Sequence, residues 1–331
     1  MFTFNWPVIG HQRIISYLQS VVERQVPNHA YLFYGSSGLG KNLVADLFIK
    51  SILCQSPDHR PCNTCSNCRE LDRGIHPDVV LLAKAEDQKN ISVEEVRAAR
   101  SKIQNSSLLD SYKIMLIRDA DALSIGAINA LLKILEEPVG KTIFVFIAED
   151  LKFLPRTLLS RLQVIKFLPV SHEDLEHHLL SSGLERSSAY ELAHLSLGFP
   201  GRVLAFAHHP KIFSEYKETT TSLLEKLSGT PLARLKLAEE LASQNNSELA
   251  KNNARQFLNN LSALMRDALL SKNACAHKIA HRWLADDFAP FVNHYSSAQL
   301  ANILVETKRT LRFLDQNVNV RLALENLILS F

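Results

Sequence analysis

Short apolar runs alternate with stretches of helical period through the first half of the chain. Tyr31–Gly35, Asp78–Leu82, Lys113–Ile117, Thr142–Ala148 and Gln163–Phe167 read as strands. Between them, Asn42–Leu53 sets Leu43, Val44, Leu47 and Phe48 at helical spacing. Ser92 with Glu95 forms a capping box ahead of a helix over Val96–Ile103. Ala127–Glu137 carries Ile128, Leu131, Leu132 and Leu135 on one face and stops at Pro138. Pro155–Leu159 reads as a short helix. Apolar strands alternating with helices predict an α/β domain with a mostly parallel sheet. After about Pro169 strand-like runs vanish. Helices are expected from a cap at Ser171–Glu173 to about Ser182, over Ser187–Leu197, and over Gly201–Ala207, which His208-His209-Pro210 ends. Four or five more helices are expected between Lys211 and Phe331. The fold class is therefore α/β plus all-α.

Composition narrows this picture. A chain of 331 residues makes two to three domains at roughly 150 residues each. With 46% hydrophobic and 21% charged residues, it is not collagen-like, coiled-coil or disordered. A net charge of +3 is too balanced for coating nucleic acid by bulk charge, although a local basic groove stays open. No run approaches the ~18–20 apolar residues of a membrane span, so no membrane association is expected. Met1–Arg13 lacks a basic region followed by an apolar one, so no secretory signal is read and the expected compartment is the cytoplasm. Disulfides are not expected there. Yet of five cysteines, Cys54, Cys62, Cys65 and Cys68 are bunched together, which random scatter does not produce.

Three local patterns carry candidate chemistry. Gly35-Ser-Ser-Gly38-Leu-Gly40-Lys41-Asn42 follows a strand and opens a helix, as a phosphate-binding loop requires. Backbone N–H groups and the helix terminus attract phosphate, and Lys41 adds a point charge. Asn42 stands where a Ser or Thr hydroxyl normally ligates Mg²⁺. A glycine-rich turn with a surface lysine is the plainer alternative. A hydrolytic site also needs an acid pair after a second strand. At Arg118-Asp119-Ala120-Asp121 either register breaks that pair: Arg118 puts a cation beside the metal, or Asp119 is followed by Ala120. The third pattern is Cys54-x7-Cys62-x2-Cys65-x2-Cys68. Four thiolates can close a tetrahedral, structural Zn²⁺ site, with iron–sulfur ligation as the rival. His59 and His76 flank it and are given no ligand role. Cys275 reads as an ordinary buried cysteine. Arg161 in Ser160-Arg161-Leu162 is by default a surface residue.

Taken in order, several segments resemble the bacterial clamp-loader AAA+ family. They are Val8-Ile-Gly-His11, His29-Ala-Tyr-Leu-Phe33, the phosphate loop, the four-cysteine insertion, Tyr112–Ile117, Asn129-Ala-Leu-Leu-Lys-Ile-Leu-Glu-Glu-Pro138, Leu159-Ser-Arg-Leu162, Gly198-Phe-Pro-Gly-Arg202 and Asn317–Glu325. The resemblance implies an AAA+ P-loop core over 1–169 with a zinc-binding insertion at 54–68. It implies a small helical lid over 170–210 and a C-terminal helical collar over 211–331. It also implies that Arg161 acts as an arginine finger on a neighbour's ATP, although Leu162 departs from the family's Ser-Arg-Cys. Arg202 matches the lid's sensor arginine, with a structural or lid-docking role as its alternative. The family's sensor threonine is not evident at Ala148-Glu149-Asp150. Asn42 and Arg118-Asp119 resemble a non-hydrolysing member more than a gamma/tau motor, so ATP or ADP at the chain's own site is doubtful. The implied partners are the delta and gamma/tau subunits and, through the complex, the beta sliding clamp and primed DNA. An active ATPase motor is the alternative. A zinc-dependent DNA-binding regulator is disfavoured by the charge balance and by the lack of a recognition-helix motif beside the cysteines.

Overall fold

The structure is a computed structural model describing residues 2–85, 88, 90–104, 112–137, 140–243, 247–275, 278–316 and 318–331. The chain divides into two compact units, Met1–Leu175 with Gly198–Gly201, and Glu176–Leu197 with Arg202–Phe331.

The first unit is built on five parallel strands: β1 (Ala30–Tyr34), β2 (Val79–Leu82), β3 (Lys113–Ile117), β4 (Thr142–Ala148) and β5 (Gln163–Lys166). Their order is β2-β3-β4-β1-β5. The chain starts in β1, crosses to the far edge and returns, so the order reverses beside the C-terminal end of β1. That is where open α/β sheets bind ligands. Every residue of β3 and β4 is buried, as expected of parallel strands covered on both faces. Successive side chains alternate between two cores. Tyr31, Phe33, Leu116 and Val145 pack with α1 (Gln12–Arg24) and α2 (Lys41–Leu53). Leu32, Met115, Ile117 and Phe146 pack with α4 (Val93–Gln104) and α5 (Ile125–Glu136). α3 (Ser66–Asp72) lies between α2 and β2, and α6 (Arg156–Leu159) precedes β5.

The five expected strands match to within one residue at each end. The capping box is formed: Glu95 N–H donates to Ser92 Oγ at 3.2 Å and Ser92 N–H to Glu95 Oε2 at 2.7 Å. α5 begins two residues earlier than expected, because the Ser124 side chain caps it. Pro138 lies outside the described residues, as does Asn317.

After α7 (His172–Ser181), α8 (Arg186–Leu195) and α9 (Pro200–His208) come six further α-helices among the described residues, not four or five. They are α10 (Pro210–Ser228), α11 (Pro231–Ala242), α12 (Ser247–Lys272), α13 (Ala285–Asn293), α14 (Ser297–Asp315) and α15 (Val320–Ile328). Their shared core includes Leu227, Leu258, Leu261, Leu300, Ile303 and Leu324, with α12 lying along α14 and α11 along α15. α13 runs with Pro290 inside it, which hides it from a reading that treats proline as a stop. Among the described residues no helix is long and apolar enough to cross a membrane.

Candidate functional site

The phosphate-loop sequence forms a tight turn between β1 and α2. Gly35 has φ +145°, and a Cβ there would stand 2.5 Å from the Phe167 carbonyl oxygen, so no other residue fits. Gly40, at φ +88°, is the N-cap of α2 and makes no side-chain cap bond, so the helix's first N–H groups have no side-chain acceptor there. The loop is pinned from two sides. His11 bonds the Leu39 carbonyl through Nε2 at 2.9 Å, and Gly201 N–H donates to the Gly38 carbonyl at 2.9 Å.

Lys41 is buried, which removes the surface-lysine reading. Its ammonium donates to the carbonyls of Gly35 at 2.5 Å and Ser36 at 2.9 Å. Burial lowers its pKa, partly offset by the charges of Glu149, Asp121 and Asp119. Asn42 is exposed on the first turn of α2. Asp119 is exposed, with φ 53°, at the start of the 3₁₀ turn Ala120–Ala122. The Asp121 carboxylate accepts from Glu149 N–H at 3.0 Å. Sequence reasoning passed over Asp121 and Glu149, although both lie in segments already singled out.

Arg118, the residue after β3, has an unforeseen partner. Its Nη2 lies 2.9 and 3.0 Å from the two carboxylate oxygens of Asp46 on α2. Burial raises the Asp46 pKa, and the Arg118 guanidinium and Lys50 pull it back. Arg118, the first residue after β3, is thus held in an ion pair and offers no acid to a Mg²⁺ ion.

At the other end of α2 the four cysteines meet. Cys54 is its C-cap residue and Cys65 the N-cap of α3. The four Sγ atoms lie within 4.8 Å of one another. A tetrahedral Zn–S bond of about 2.3 Å puts neighbouring sulfurs about 3.8 Å apart, so small inward shifts close such a site. The backbone already points hydrogens at the sulfurs: Cys62 N–H at Cys54, Cys65 N–H at Cys62, and Cys68 N–H at Cys65, at 3.3–3.5 Å. Burial pushes the Cys62 thiol up, but hydrogen bonds from Thr64, Cys65 and Cys54 outweigh it and bring it down to about 5. Burial raises Cys54 and Cys68. This donor set fits a single thiophilic metal. A multi-iron cluster needs its four thiolates spread around the cluster. The flanking histidines are engaged elsewhere, His59 with Thr3 Oγ1 and His76 Nδ1 with Asp78 N–H. Cys275 is half-buried rather than buried.

Arg161 follows α6 on the surface. It donates to the Thr157 carbonyl at 2.7 Å and pairs with Glu136, at the end of α5, at 2.6 Å. Arg202 belongs to the second unit. Its guanidinium sits over the rings of Tyr216 at 4.9 Å and Phe206 at 5.3 Å and donates to Asn260 at 3.3 Å. Tyr216 Oη lies 2.8 Å from His281 Nε2, and His281 Nδ1 lies 2.7 Å from the fully buried Asp267. Asp267 also accepts from the backbone N–H groups of Ala280 and His281, both at 2.9 Å. This relay had no signal in the sequence.

Residues 10–171 match the family described as "DNA polymerase III, delta subunit". The DNA polymerase III subunit delta' of Bacillus subtilis is 33% identical over 184 residues, 56% of this chain and 55% of that protein. The subunit delta' of Pseudomonas aeruginosa is 34% identical over 214 residues, 64% of this chain and 65% of that protein. The subunit tau of Bacillus subtilis is 35% identical over 167 residues, 50% of this chain and 29% of that protein. Over about half of its length, then, the chain is similar to the delta' and tau subunits of DNA polymerase III. Its fold is an α/β core with a parallel sheet plus a helical C-terminal part. The chain spans only 29–65% of the length of these relatives. The family match covers the phosphate loop, the cysteine cluster and Arg161, and stops short of Arg202 and the Asp267 relay.

Proposed function

We propose that this chain serves as the delta-prime subunit of the clamp loader. It is a non-hydrolysing stator that helps place the beta sliding clamp on primed DNA. In this reading the chain assembles in the cytoplasm with the delta and gamma/tau subunits and donates Arg161 to a neighbour's ATP. The observation that carries it is the Arg118–Asp46 pair. A guanidinium 2.9 Å from its own carboxylate stands where a motor holds a Mg²⁺-binding acid. The exposed Asn42 and the displaced Asp119 and Asp121 agree with it. An arginine given in trans needs no metal site of its own. Within this proposal 1–169 is the core, 170–210 the lid and 211–331 the collar. The four cysteines hold one structural Zn²⁺, which would cross-link the insertion and leave no open coordination position for catalysis.

Two measurements test the reading. The isolated chain is expected to show no ATP turnover. In the reconstituted loader with clamp and primed DNA, Arg161→Ala is expected to lower turnover at the neighbouring site by a large part of the ~10³–10⁵ attributed to a trans arginine. Unchanged turnover in that complex would refute the finger. The likeness to subunit tau favours the alternative of a motor. Turnover by the isolated chain, abolished by Lys41→Ala, would establish it instead.

A further inference from the structure

A cavity of about 480 Å³ opens in the first unit among α2, the loop after α3, and strands β2 and β3. No phosphate-loop residue, cysteine or Arg161 lines it. Ile49, Leu71, Val79, Leu116 and the exposed Leu81 give it an apolar wall. Three lining cations, Lys50, Arg73 and Arg118, face two carboxylates, Asp46 and Asp72. Lys50 is engaged by Asp72 at 2.8 Å and Arg118 by Asp46 at 2.9 Å, which leaves the exposed Arg73 in excess.

Two of the lining side chains carry a buried nitrogen with no hydrogen-bond partner among the described residues: His76 Nε2 and Arg118 Nε. The His76 ring is 4% exposed, and its Nδ1 accepts from Asp78 N–H at 3.2 Å. The neutral ring therefore carries its proton on Nε2, so both orphaned groups are donors. Buried donors without partners are rare in folded proteins and call for an explanation. A water molecule would answer the donors alone and leave the apolar wall and the surplus charge unused.

We propose that this cavity binds a small organic anion. Its oxyanion head, a carboxylate or a phosphate, accepts from His76 and Arg118, and its apolar body lies against Val79, Leu81 and Leu116. Both donors are sealed from solvent, so the head reaches them as these side chains turn toward the cavity. Arg118, 34% exposed, has room to do so. The size is within the range of small-ligand sites, and an apolar wall with a few convergent donors is their usual construction.

The test titrates the full chain with phenyl phosphate, benzoate and uncharged benzyl alcohol, following the His76 side-chain resonances by ¹⁵N–¹H NMR. Saturable shifts are expected with phenyl phosphate or benzoate and not with benzyl alcohol. The tighter of the two anions distinguishes a phosphate ligand from a carboxylate one. Leu81→Glu, at an exposed position, is expected to weaken binding at least about tenfold, and His76→Phe likewise. Absence of saturable shifts up to about 10 mM in the folded wild-type chain overturns the proposal. Equal affinity for benzyl alcohol, or indifference to Leu81→Glu, overturns it as well.

Discussion

Asp267 offers the sharpest physical test of the second unit. Its carboxylate is wholly buried and accepts from two backbone N–H groups at 2.9 Å, from His281 Nδ1 at 2.7 Å and from Arg266 at 2.7 Å. Asp267→Ala leaves the backbone donors of Ala280 and His281 and the imidazole unpaired in the core. Each orphaned donor costs about 1–3 kcal/mol. Their sum overshoots, because neighbours relax and the losses are not additive, so breaking such a buried cluster is expected to cost about 3–5 kcal/mol. Asp267→Asn keeps an acceptor oxygen and is expected to lose about half of that. The chain has two tryptophans, Trp6 in the first unit and Trp283 in the second. Trp283 packs at 5.2 Å from His281 and 6.3 Å from Tyr216. In a Trp6→Phe background its fluorescence therefore follows the unit that contains Asp267. With a slope of about 2 kcal/mol/M, the urea midpoint falls by about 1.5–2.5 M in Asp267→Ala. A loss under about 1 kcal/mol at unchanged slope would refute the reasoning. The same relay reaches Arg202 through Tyr216, so the variant is also expected to free the Arg202 side chain.

The purified chain is expected to carry about one zinc per chain by elemental analysis, and Cys68→Ser to lose it together with thermal stability; full metal retention in that variant, or a stoichiometric iron content, contradicts the assignment. Glu136→Gln removes the surface partner of Arg161 and is expected to change stability by less than about 1 kcal/mol, because both side chains are at least a third exposed. A larger shift in the unfolding midpoint would mean the pair is structural. Burial holds His76 below its ordinary 6.5, with Glu70 and Asp78 opposing. Unfolding therefore takes up a proton in the window below 6.5, so this contribution is whole above that value and is lost as the pH falls. Urea midpoints read from Trp6 in a Trp283→Phe background are expected to drop less on acidification in His76→Phe than in wild type; an equal or steeper drop contradicts the sign.

The sheet was legible because its central strands β1, β3 and β4 are buried on both faces and so read as unbroken apolar runs, while the more exposed edge strands β2 and β5 keep an apolar centre. Two helices of the first unit were not. α1 is preceded by His11 as its N-cap, in the left-handed region with no side-chain cap bond, so it has no start signal. α3 is capped by Cys65, whose thiol reads as a metal ligand before it reads as an N-cap. The glycines, Lys41 and the four cysteines were visible from spacing alone, because local chemistry dictates that spacing. Partnerships between distant residues were not visible. Arg118 and Asp46 are 72 positions apart, and Arg161 and Glu136 are 25 apart. No periodicity links such pairs, and only the folded sheet brings them together.

The helix α2 begins at Lys41 and ends one residue before Cys54. Its 13 residues make a rod about 20 Å long. The glycine loop and the cysteine knuckle are therefore the two ends of a single lever. A tilt of about 3° pivoting at the knuckle moves the loop end by about 1 Å, the scale on which positioned groups gain or lose their geometry. Since the knuckle clamps α2 to α3, it works as a bearing that sets the angle of the lever. A lesion in the cysteines would then be felt first as misalignment at the far end, before any loss of the fold.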